Sequence, residues 1–324
     1  MAVLALVLGV ATVPGAFASQ KDGPASDKIV VSGASGRFAG EAIRALLLRG
    51  VKLADLVLVT RTPDELISFS TNGAQVRLGD FDRPETLDHA FAGGRELLLV
   101  STNSDGDRAT QHTNAISAAR RAGIRHIVYT SFINATADNP ALIVRAHQLT
   151  EEALMRSGMQ YTILRYQLYM DGLVDEAAEA LESGDLYTNG AKGKWAPVAR
   201  RDCAEAAAVV LTTPGHEGKI YEITGPELIN HQDFAKLVSD VTGRRVRAIE
   251  VDDATYMARA LRAGMPAELT KLQASFGVAM RANALNIRND TLQLLLGRKP
   301  ESLRDLLTEH KSRLLSANPQ RRAN

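Results

Sequence analysis

The sequence predicts an α/β protein, built on a doubly wound parallel sheet with a smaller α/β lobe in its C-terminal half. Three observations support this fold class. Short apolar runs alternate with helical patterns from residue 28 to about residue 165, a glycine-rich turn opens the alternation, and the rhythm loosens after residue 166. Parallel strands need crossovers of a dozen or more residues, which the predicted helices provide. The chain of 324 residues is long enough for such an arrangement.

The first half carries the regular elements. Predicted strands cover residues 29–31, 56–59, 75–78, 97–100, 126–130 and 161–164, and predicted helices cover residues 39–49, 84–91, 110–122 and 143–157. The first helix has apolar residues at helical spacing, and Gly50 follows it where a C-cap is expected. The run at 97–100 is apolar throughout, which is typical of a strand covered by helices on both faces. The alternation therefore predicts six parallel strands.

The second half has looser patterns. Residues 230–242 and 303–315 have helical spacing, residues 246–251 alternate like a strand, and a helix is expected to start at Asp252. Asp202 is interpreted as the N-cap of a further helix. These elements predict a lobe packed over the carboxyl edge of the sheet. The predicted organisation is a polar linker at 19–27, a sheet domain at 28–165, a smaller substrate lobe at 166–315 with some segments returning to the sheet, and a polar tail at 316–324.

The N-terminal segment has much of the pattern of a secretory leader. An apolar stretch at residues 2–13 precedes a Pro-Gly pair and Ala16-Phe17-Ala18, an A-x-A cleavage pattern. The stretch is too short to span a membrane, so no span is expected in the mature chain. No Lys or Arg precedes it, which departs from the leader pattern. Two interpretations stay open: residues 1–18 form a signal peptide and the protein is exported or periplasmic, or the segment is a mis-assigned start or an anchor and the protein is otherwise cytoplasmic.

Composition limits the classes of partner. The formal net charge is +1, which gives no basic footprint for nucleic acid or for an anionic membrane surface. The single cysteine, Cys203, excludes an internal disulfide and a cysteine metal cluster. The seven histidines form no His-Glu-x-x-His motif and no close pair, so we predict no metal site. We expect a small-molecule partner, and the oligomeric state is left open.

The turn between the first strand and the first helix carries a phosphate-binding pattern. Gly33, Gly36 and Ala39 form G-x-x-G-x-x-A. Gly33 permits a tight turn, Gly36 lets the backbone approach a pyrophosphate, and Ala39 is small enough for close helix–strand packing. Free N–H groups at the helix start then point at the anion. A plain strand–helix turn is the alternative, but the position in the first strand–helix unit favours a Rossmann-type NAD(P)-binding site.

The end of the second strand indicates which dinucleotide binds. An NAD site has an Asp or Glu there for the ribose 2′-hydroxyl, whereas this chain has Thr60-Arg61-Thr62-Pro63. An arginine offers a charged, forked donor to the 2′-phosphate of NADP. A solvated surface arginine is the alternative interpretation. The missing acid and the present base together favour NADPH over NADH.

Five segments between about residue 29 and residue 311 carry a family resemblance, in order and at normal spacing. They are GASGRFAG, LVTRTPDEL, LGDFDRPETLDHAFAGGRELLLVSTN, QHTNAISAARRAGIRHIVYTS and LLGRKPESLRDLLTEHK. Together they resemble the NmrA-like branch of the atypical short-chain dehydrogenases, and within it the NAD(P)H:quinone oxidoreductases. The resemblance implies a Rossmann domain, a small C-terminal lobe and a cleft between them. Ala39 departs mildly from the family, which usually has a third glycine there.

The resemblance also implies a set of cofactor-binding residues. The glycine loop would cradle the pyrophosphate, Arg61 the 2′-phosphate, residues 80–81 would lie beside the adenine, and residues 101–103 and 130–131 near the nicotinamide ribose. The full set is Gly33, Ala34, Ser35, Gly36, Arg37, Phe38, Ala39, Arg61, Asp80, Phe81, Ser101, Thr102, Asn103, Thr130 and Ser131.

A familiar catalytic pair is absent from the sequence. Short-chain dehydrogenases that reduce carbonyls commonly use Tyr-x-x-x-Lys, in which the lysine lowers the tyrosine pKa. None of the seven tyrosines has a lysine four residues on. By resemblance, His147 takes the place of that lysine, and it is the candidate catalytic residue, orienting the nicotinamide ribose or relaying a proton. The alternative is a half-exposed helix histidine without such a role.

Two classes of function follow from the missing pair. Two-electron hydride transfer from NADPH to a quinone or similar flat acceptor needs positioning more than an acid. A non-catalytic, redox-sensing regulatory protein of the NmrA type also needs no catalytic acid. An aromatic-lined substrate cleft is predicted from Tyr166, Leu168, Tyr169, Trp195, Met265 and Phe276, although each is equally compatible with a core position. Quinone reductase relatives usually carry Asn-Gly-Trp where this chain has Tyr166-Gln167-Leu168.

Overall fold

The structure is a computed structural model that describes residues 28–102 and 107–316. Its strands are β1 (Lys28–Ser32), β2 (Leu56–Thr60), β3 (Gln75–Leu78), β4 (Gly94–Leu99), β5 (His126–Phe132), β6 (Gln160–Tyr166), β7 (Asp185–Thr188), β8 (Lys219–Ile223) and β9 (Arg247–Glu250). The predicted leader, the linker, Asn103 and residues 317–324 of the predicted tail lie outside the described residues.

The helices follow most of the predicted positions. They are α1 (Arg37–Leu48), α2 (Ile67–Thr71), α3 (Leu87–Phe91), α4 (Arg108–Arg121), α5 (Val144–Arg156), α6 (Leu173–Ser183), α7 (Arg200–Thr212), α8 (His231–Thr242), α9 (Asp253–Arg262), α10 (Ala267–Arg281), α11 (Thr291–Leu296), α12 (Leu303–Glu309) and α13 (Lys311–Ser316). The helical pattern at 303–315 is thus divided between α12 and α13. None of the helices in the described ranges is long and apolar enough to cross a membrane.

Within the described ranges, seven parallel strands form one sheet in the order β3-β2-β1-β4-β5-β6-β8. The predicted doubly wound parallel sheet is therefore confirmed. The chain passes from β3 to β4 across the middle of the sheet, so the strand order reverses between β1 and β4. Ligands of open α/β sheets bind at such a switch point, outside the carboxyl ends of the strands.

The strands are buried on both faces, as their apolar runs predict. Val31 and Leu58 belong to a core that includes residues of α1 and α7, whereas Val30 and Val57 belong to a second core with residues of α3, α4 and α5. Neighbouring residues of a strand point to opposite faces, so one apolar run supplies both cores. This packing fixes the ends of the strands that carry the loops of the site.

The second half contributes to two units. The strand β8 pairs with β6 at the edge of the large sheet, and α7 packs against α1. The sequence analysis missed β8 because its residues are mostly exposed or half-buried and form no buried apolar run. Helix α11 also packs on α7, whereas most of the remaining elements, including the parallel pair β7–β9, surround a third core with Trp195 and Phe234. The exact domain limits stay a prediction.

The predicted N-cap role of Asp202 is wrong. The helix α7 already begins at Arg200, and Asp202 lies buried in its first turn. One carboxylate oxygen of Asp202 accepts the backbone N–H of Glu301 at 2.7 Å, and the other pairs with Arg298 at 2.7 Å. The carboxylate thus holds the segment before α12 against the start of α7, a long-range contact that local capping patterns do not reveal.

Candidate functional site

A cleft of about 800 Å³ opens at the carboxyl edge of the sheet. This volume lies within the range of about 300–1,000 Å³ that is usual for small-molecule sites. Its walls come from the ends of β1, β2, β3 and β4, the segment after β6, and the start of α7. The lining residues are Gly33, Ser35, Gly36, Arg37, Phe38, Ala39, Val59, Thr60, Arg61, Thr62, Glu65, Gly79, Asp80, Phe81, Asp82, Val100, Ser101, Thr102, Gln111, Tyr169 and Arg200.

The glycine loop has the backbone that the sequence predicts. Gly33 has a φ of +60°, a conformation that L side chains rarely adopt. The N–H of Gly36 donates to the carbonyl of Gly33 at 2.8 Å, and the N–H of Ala34 donates to Val59 at 3.0 Å, which ties the loop to β2. A Cβ at position 36 would lie 3.0 Å from the Gly33 carbonyl oxygen, so the turn itself also favours glycine there.

The start of α1 offers backbone donors to the cleft. The N–H of Gly40 donates to the carbonyl of Gly36 at 2.9 Å, which is the first regular bond of the helix. The N–H groups of Arg37, Phe38 and Ala39 precede that bond, and all three residues line the cleft. Such unpaired donors at a helix N-terminus suit a phosphate group.

Two guanidinium groups line the same part of the cleft. The side chains of Arg37 and Arg61 are exposed, and neither makes an ion pair or hydrogen bond to another residue of the described ranges. Ser35 and Thr60 share a hydrogen bond of 2.9 Å between their hydroxyls, which joins the glycine loop to the end of β2. Two arginines without a partner in the described ranges therefore line the same cleft as the glycine loop.

The loop after β3 is tied to α4 by side chains that the sequence analysis did not single out. The Nε2 of Gln111 donates to both carboxylate oxygens of Asp82, each at 2.9 Å, and the hydroxyl of Thr102 donates to Oε1 of Gln111 at 2.6 Å. Asp80 and Phe81 both line the cleft, and the largely buried ring of Phe81 lies nearly perpendicular to that of His112 on α4. No local pattern indicates these contacts because they join separate elements.

A buried histidine holds the chain after β4. The backbone N–H of Thr102 donates to Nε2 of His112 at 3.1 Å, so this nitrogen carries no proton. The Nδ1–H then donates to the hydroxyl of Thr150 at 2.9 Å. Burial, together with the positive charge of Arg108, lowers the pKa of His112 to about 3. A neutral His112 therefore keeps Thr102 in place at the cleft at any ordinary pH.

His147 lies behind the cleft and does not line it. It is only 2% exposed, which excludes the half-exposed alternative, and its Nδ1 is 2.7 Å from the hydroxyl of Tyr129. Burial lowers the pKa of His147 well below its usual value and raises the pKa of Tyr129, so both groups are neutral. The tautomer of the imidazole decides which of the two groups donates this hydrogen bond. The catalytic role of His147 stays a prediction. Tyr129 and His112 connect His147 to the backbone of Thr102 at the cleft.

Three of the predicted cofactor residues are buried beneath the cleft. The hydroxyl of Thr130 accepts the N–H of Ser101 at 2.8 Å. The hydroxyl of Ser131 donates to Glu151 at 2.6 Å, away from the cleft lining. Ala34 is 2% exposed and belongs to the core under α1. Ser101 and Thr102 line the cleft themselves, so Thr130 contributes by holding the first of them.

The predicted substrate residues are dispersed by the fold. Tyr169 lines the cleft. Tyr166 is buried, and its hydroxyl donates to the carbonyl of Cys203 at 3.0 Å. Trp195 is buried in the core of the smaller lobe and contacts His231 with ring centroids 4.7 Å apart.

The other three predicted substrate residues are half-buried and do not line the cleft. Phe276 stacks on Phe132 at the end of β5, with centroids 5.8 Å apart. Leu168 packs against the core of the smaller lobe, and Met265 follows α9. Their substrate roles stay predictions, because contacts with the protein core do not show contact with a ligand.

Arg200 is a cleft residue that the sequence analysis missed. Its guanidinium lies 5.3 Å from the centroid of the Tyr169 ring, and it pairs with Asp171 at 3.1 Å. The backbone N–H of Arg200 also donates to Asp171 at 2.9 Å. An arginine at the start of a helix carries no signal for a ligand site in the sequence alone. Its position in the cleft depends on α7 packing beside α1.

The chain is similar to known proteins along most of its length. A family model described as NAD(P)H-binding matches residues 33–214. Quinone oxidoreductase 2 of Escherichia coli (strain K12) is 32% identical over 275 residues, which cover 85% of this chain and 96% of that protein. The NmrA-like family domain-containing oxidoreductase flvB of Aspergillus flavus is 27% identical over 297 residues, covering 88% and 96%.

A solved structure shares the fold closely. The NADPH-dependent quinone oxidoreductase from Escherichia coli, complexed with NADPH, superposes with a TM-score of 0.83 at 32% identity, covering 89% of this chain and 100% of that one. The glycine loop, the parallel sheet and the matched length agree with the family model. The chain therefore belongs to the NAD(P)H-binding, NmrA-like family.

Proposed function

We propose that this protein is an NADPH-dependent oxidoreductase that reduces quinones or similar flat acceptors by two-electron hydride transfer. The observation that carries the proposal is the cleft. It combines a glycine loop, the donors of a helix start and two arginines that have no partner among the residues the structure describes. The similarity to an Escherichia coli quinone oxidoreductase over 96% of its length supports the same activity here.

The residues of the cleft fit NADPH. The loop at Gly33 and Gly36 would hold the pyrophosphate on the N–H groups that begin α1. Arg61, with Arg37 beside the same turn, would neutralise the 2′-phosphate that distinguishes NADPH from NADH. Glu65 also lines the cleft.

The chain's own residues would mainly bind and orient. When bound, NADPH supplies a hydride to the acceptor. Ser101 and Thr102, held by Thr130 and His112, would position the nicotinamide end of the cofactor. A rigid support of this kind favours transfer because the reacting atoms must approach closely and in line.

The regulatory alternative has less support than the reductase. The relatives that cover nearly the whole chain are named as oxidoreductases. A sensor of the dinucleotide would also bind NADPH, so cofactor binding alone does not separate the two functions. Turnover with an acceptor does.

Location forms a separate part of the proposal. The leader-like segment at residues 1–18 favours export, whereas a cofactor regenerated by metabolism favours the cytoplasm. N-terminal sequencing of the mature protein from separated cell fractions tests the two. A mature chain that begins near residue 19 in an exported fraction would support cleavage, and a chain that retains residues 1–18 in the cytoplasm would contradict it.

Purified protein, NADPH and 1,4-benzoquinone provide the test of function. We expect NADPH oxidation with a stoichiometry of one hydroquinone formed per NADPH consumed, and much slower turnover with NADH. A simple alcohol with NADP⁺ serves as the control and should give no turnover. Protein that binds NADPH tightly but reduces none of a panel of quinones would contradict the proposal and support the sensor.

A further inference from the structure

The hydroxyl of Tyr169 is unpaired at the cleft. It makes no hydrogen bond to any residue of the described ranges, although Tyr169 lines the cleft. The hydroxyls of Tyr129, Tyr166 and Tyr221, by contrast, each bond to an imidazole or a carbonyl. A polar group without a protein partner inside a ligand cleft is available to a ligand.

The ring that carries this hydroxyl is held firmly. Its centroid lies 6.3 Å from that of Phe38, with the planes inclined by only 21°, and 6.2 Å from that of Tyr166. The guanidinium of Arg200 lies 5.3 Å from the ring centroid, and Asp171 holds Arg200 at 3.1 Å. The phenol is therefore a preorganised donor, fixed by contacts from three elements.

Burial keeps the phenol protonated. Burial is the main cause that raises the pKa of Tyr169 well above its usual value, with Cys203 and Asp171 acting in the same direction and Arg200 opposing them. The O–H bond is thus intact at any pH at which the protein is used. The nearby guanidinium stabilises negative charge that develops on the ring oxygen during proton donation.

We propose that Tyr169 is a catalytic residue whose hydroxyl donates a hydrogen bond, and then its proton, to the carbonyl oxygen of the bound acceptor. This inference rests on the proposed reductase function and gives the site the acid that a Tyr-x-x-x-Lys pair supplies in related enzymes. Arg200 acts as its positioning residue through the contact with the ring.

The step is balanced in atoms and electrons. NADPH gives the quinone a hydride, which carries two electrons and one hydrogen, and is itself oxidised to NADP⁺. The negative charge that develops on the acceptor oxygen takes the proton of Tyr169, so one O–H bond breaks and another forms. The phenolate then regains a proton from water. The sum is NADPH, a proton and a quinone giving NADP⁺ and a hydroquinone.

Tyr169→Phe tests the role because it keeps the stacked ring and removes only the hydroxyl. We expect kcat with 1,4-benzoquinone to decrease by about 10- to 100-fold, since a donor to a developing oxyanion is lost. Affinity of the NADP⁺-loaded protein for 1,4-benzoquinone, measured calorimetrically without turnover, should decrease by about 3- to 10-fold. The dissociation constant of NADPH and the unfolding midpoint should stay unchanged.

Tyr221→Phe is the matched control. Tyr221 lies on the edge strand β8, its hydroxyl bonds to His216, and it does not line the cleft. We expect this variant to keep the kcat and the benzoquinone affinity of the parent protein.

Two results would overturn the inference. Equal kcat and equal benzoquinone affinity in Tyr169→Phe and the parent would show that the hydroxyl donates to no acceptor. A loss confined to NADPH affinity would assign Tyr169 to cofactor binding. A parent protein that reduces no quinone would instead contradict the proposed function, and the two failures are therefore distinguishable.

Discussion

The loop after β1 and the segment after β6 meet at Phe38 and Tyr169, yet they build the cleft by different means. The loop uses its backbone: a positive φ at Gly33, a turn closed at Gly36 and the free donors of α1. The other segment uses side chains, with Tyr169 placed by rings and by the Asp171–Arg200 pair.

The difference has consequences for sensitivity to conditions. Backbone N–H donors do not titrate, so only substitutions that alter the turn change them. Tyr169 also contacts Arg200 at the start of α7, and the first turn of α7 is held by ion pairs of Arg201 with Glu301 and of Asp202 with Arg298. Ion pairs respond to pH and to salt. We therefore expect the glycine loop to be disrupted mainly by added side-chain volume. We expect the segment after β6 to be disrupted mainly by changes of charge.

Gly36→Val in the glycine loop should give the largest effect, a loss of NADPH binding. A β-branched side chain would press on the Gly33 carbonyl, only 3.0 Å from the added Cβ, and occupy the pyrophosphate position. We expect loss of measurable NADPH binding in a fluorescence titration, with the protein still folded by circular dichroism. Gly40→Ala is the control, since its Cβ would meet nothing within 4 Å. Unchanged NADPH affinity in Gly36→Val would remove the phosphate-loop role.

Arg61→Glu tests whether the positive charge at the end of β2 selects NADPH over NADH. Loss of a charge-assisted hydrogen bond costs about 1.5–3 kcal/mol, so NADPH affinity should fall roughly 10- to 100-fold. NADH affinity should change little because NADH lacks the 2′-phosphate. Arg44→Glu makes the same charge change on the exposed face of α1 and should leave both affinities intact. An equal loss for both cofactors would show that Arg61 is structural.

His147→Ala tests a buried residue that does not line the cleft. It leaves the buried hydroxyl of Tyr129 without its 2.7 Å partner, which should lower the free energy of unfolding by about 1–3 kcal/mol. Turnover of the folded protein should fall by less than about 10-fold, because the imidazole does not line the cleft. The exposed His89→Ala serves as the control in denaturant unfolding. A loss of turnover by several decades would instead make His147 an essential acid.

Glu301 should give the smallest effect, seen as a pH dependence of stability. Burial raises its pKa from 4.5 to about 7, and its Oε2 has no hydrogen-bond partner in the described part of the chain. Because the folded pKa is the higher one, the stabilisation is complete below pH 4.5 and is lost as the pH rises through about 7. The unfolding midpoint should therefore decrease between these values.

Two variants isolate that pH dependence. Glu301→Gln keeps the shape of the side chain without its titration, so the decrease in the unfolding midpoint should be smaller than in the parent. Glu268→Gln changes an exposed carboxylate that pairs with Lys271 and does not act on the pKa of Glu301, so it should keep the parent's slope. Identical slopes in all three proteins would exclude Glu301 as the origin.

Local patterns of the sequence were enough for the parallel sheet, the turn at Gly33 and Gly36, and the arginine at the end of β2. Each depends on residues that are neighbours in the chain: a strand, its turn and the helix that follows. Apolar periodicity also identified six of the seven described strands of the sheet. It missed β8, whose exposed edge position leaves no such pattern.

Only the tertiary structure decided which side chains complete the cleft. Gln111 reaches Asp82 across 29 residues, and Arg200 reaches Asp171 across 29 residues, through packing that periodicity does not encode. The same packing buried Tyr166, the last residue of β6, and left Tyr169, three residues later, lining the cleft. Burial depends on what the other elements cover, and a sequence pattern specifies only the face that each element offers.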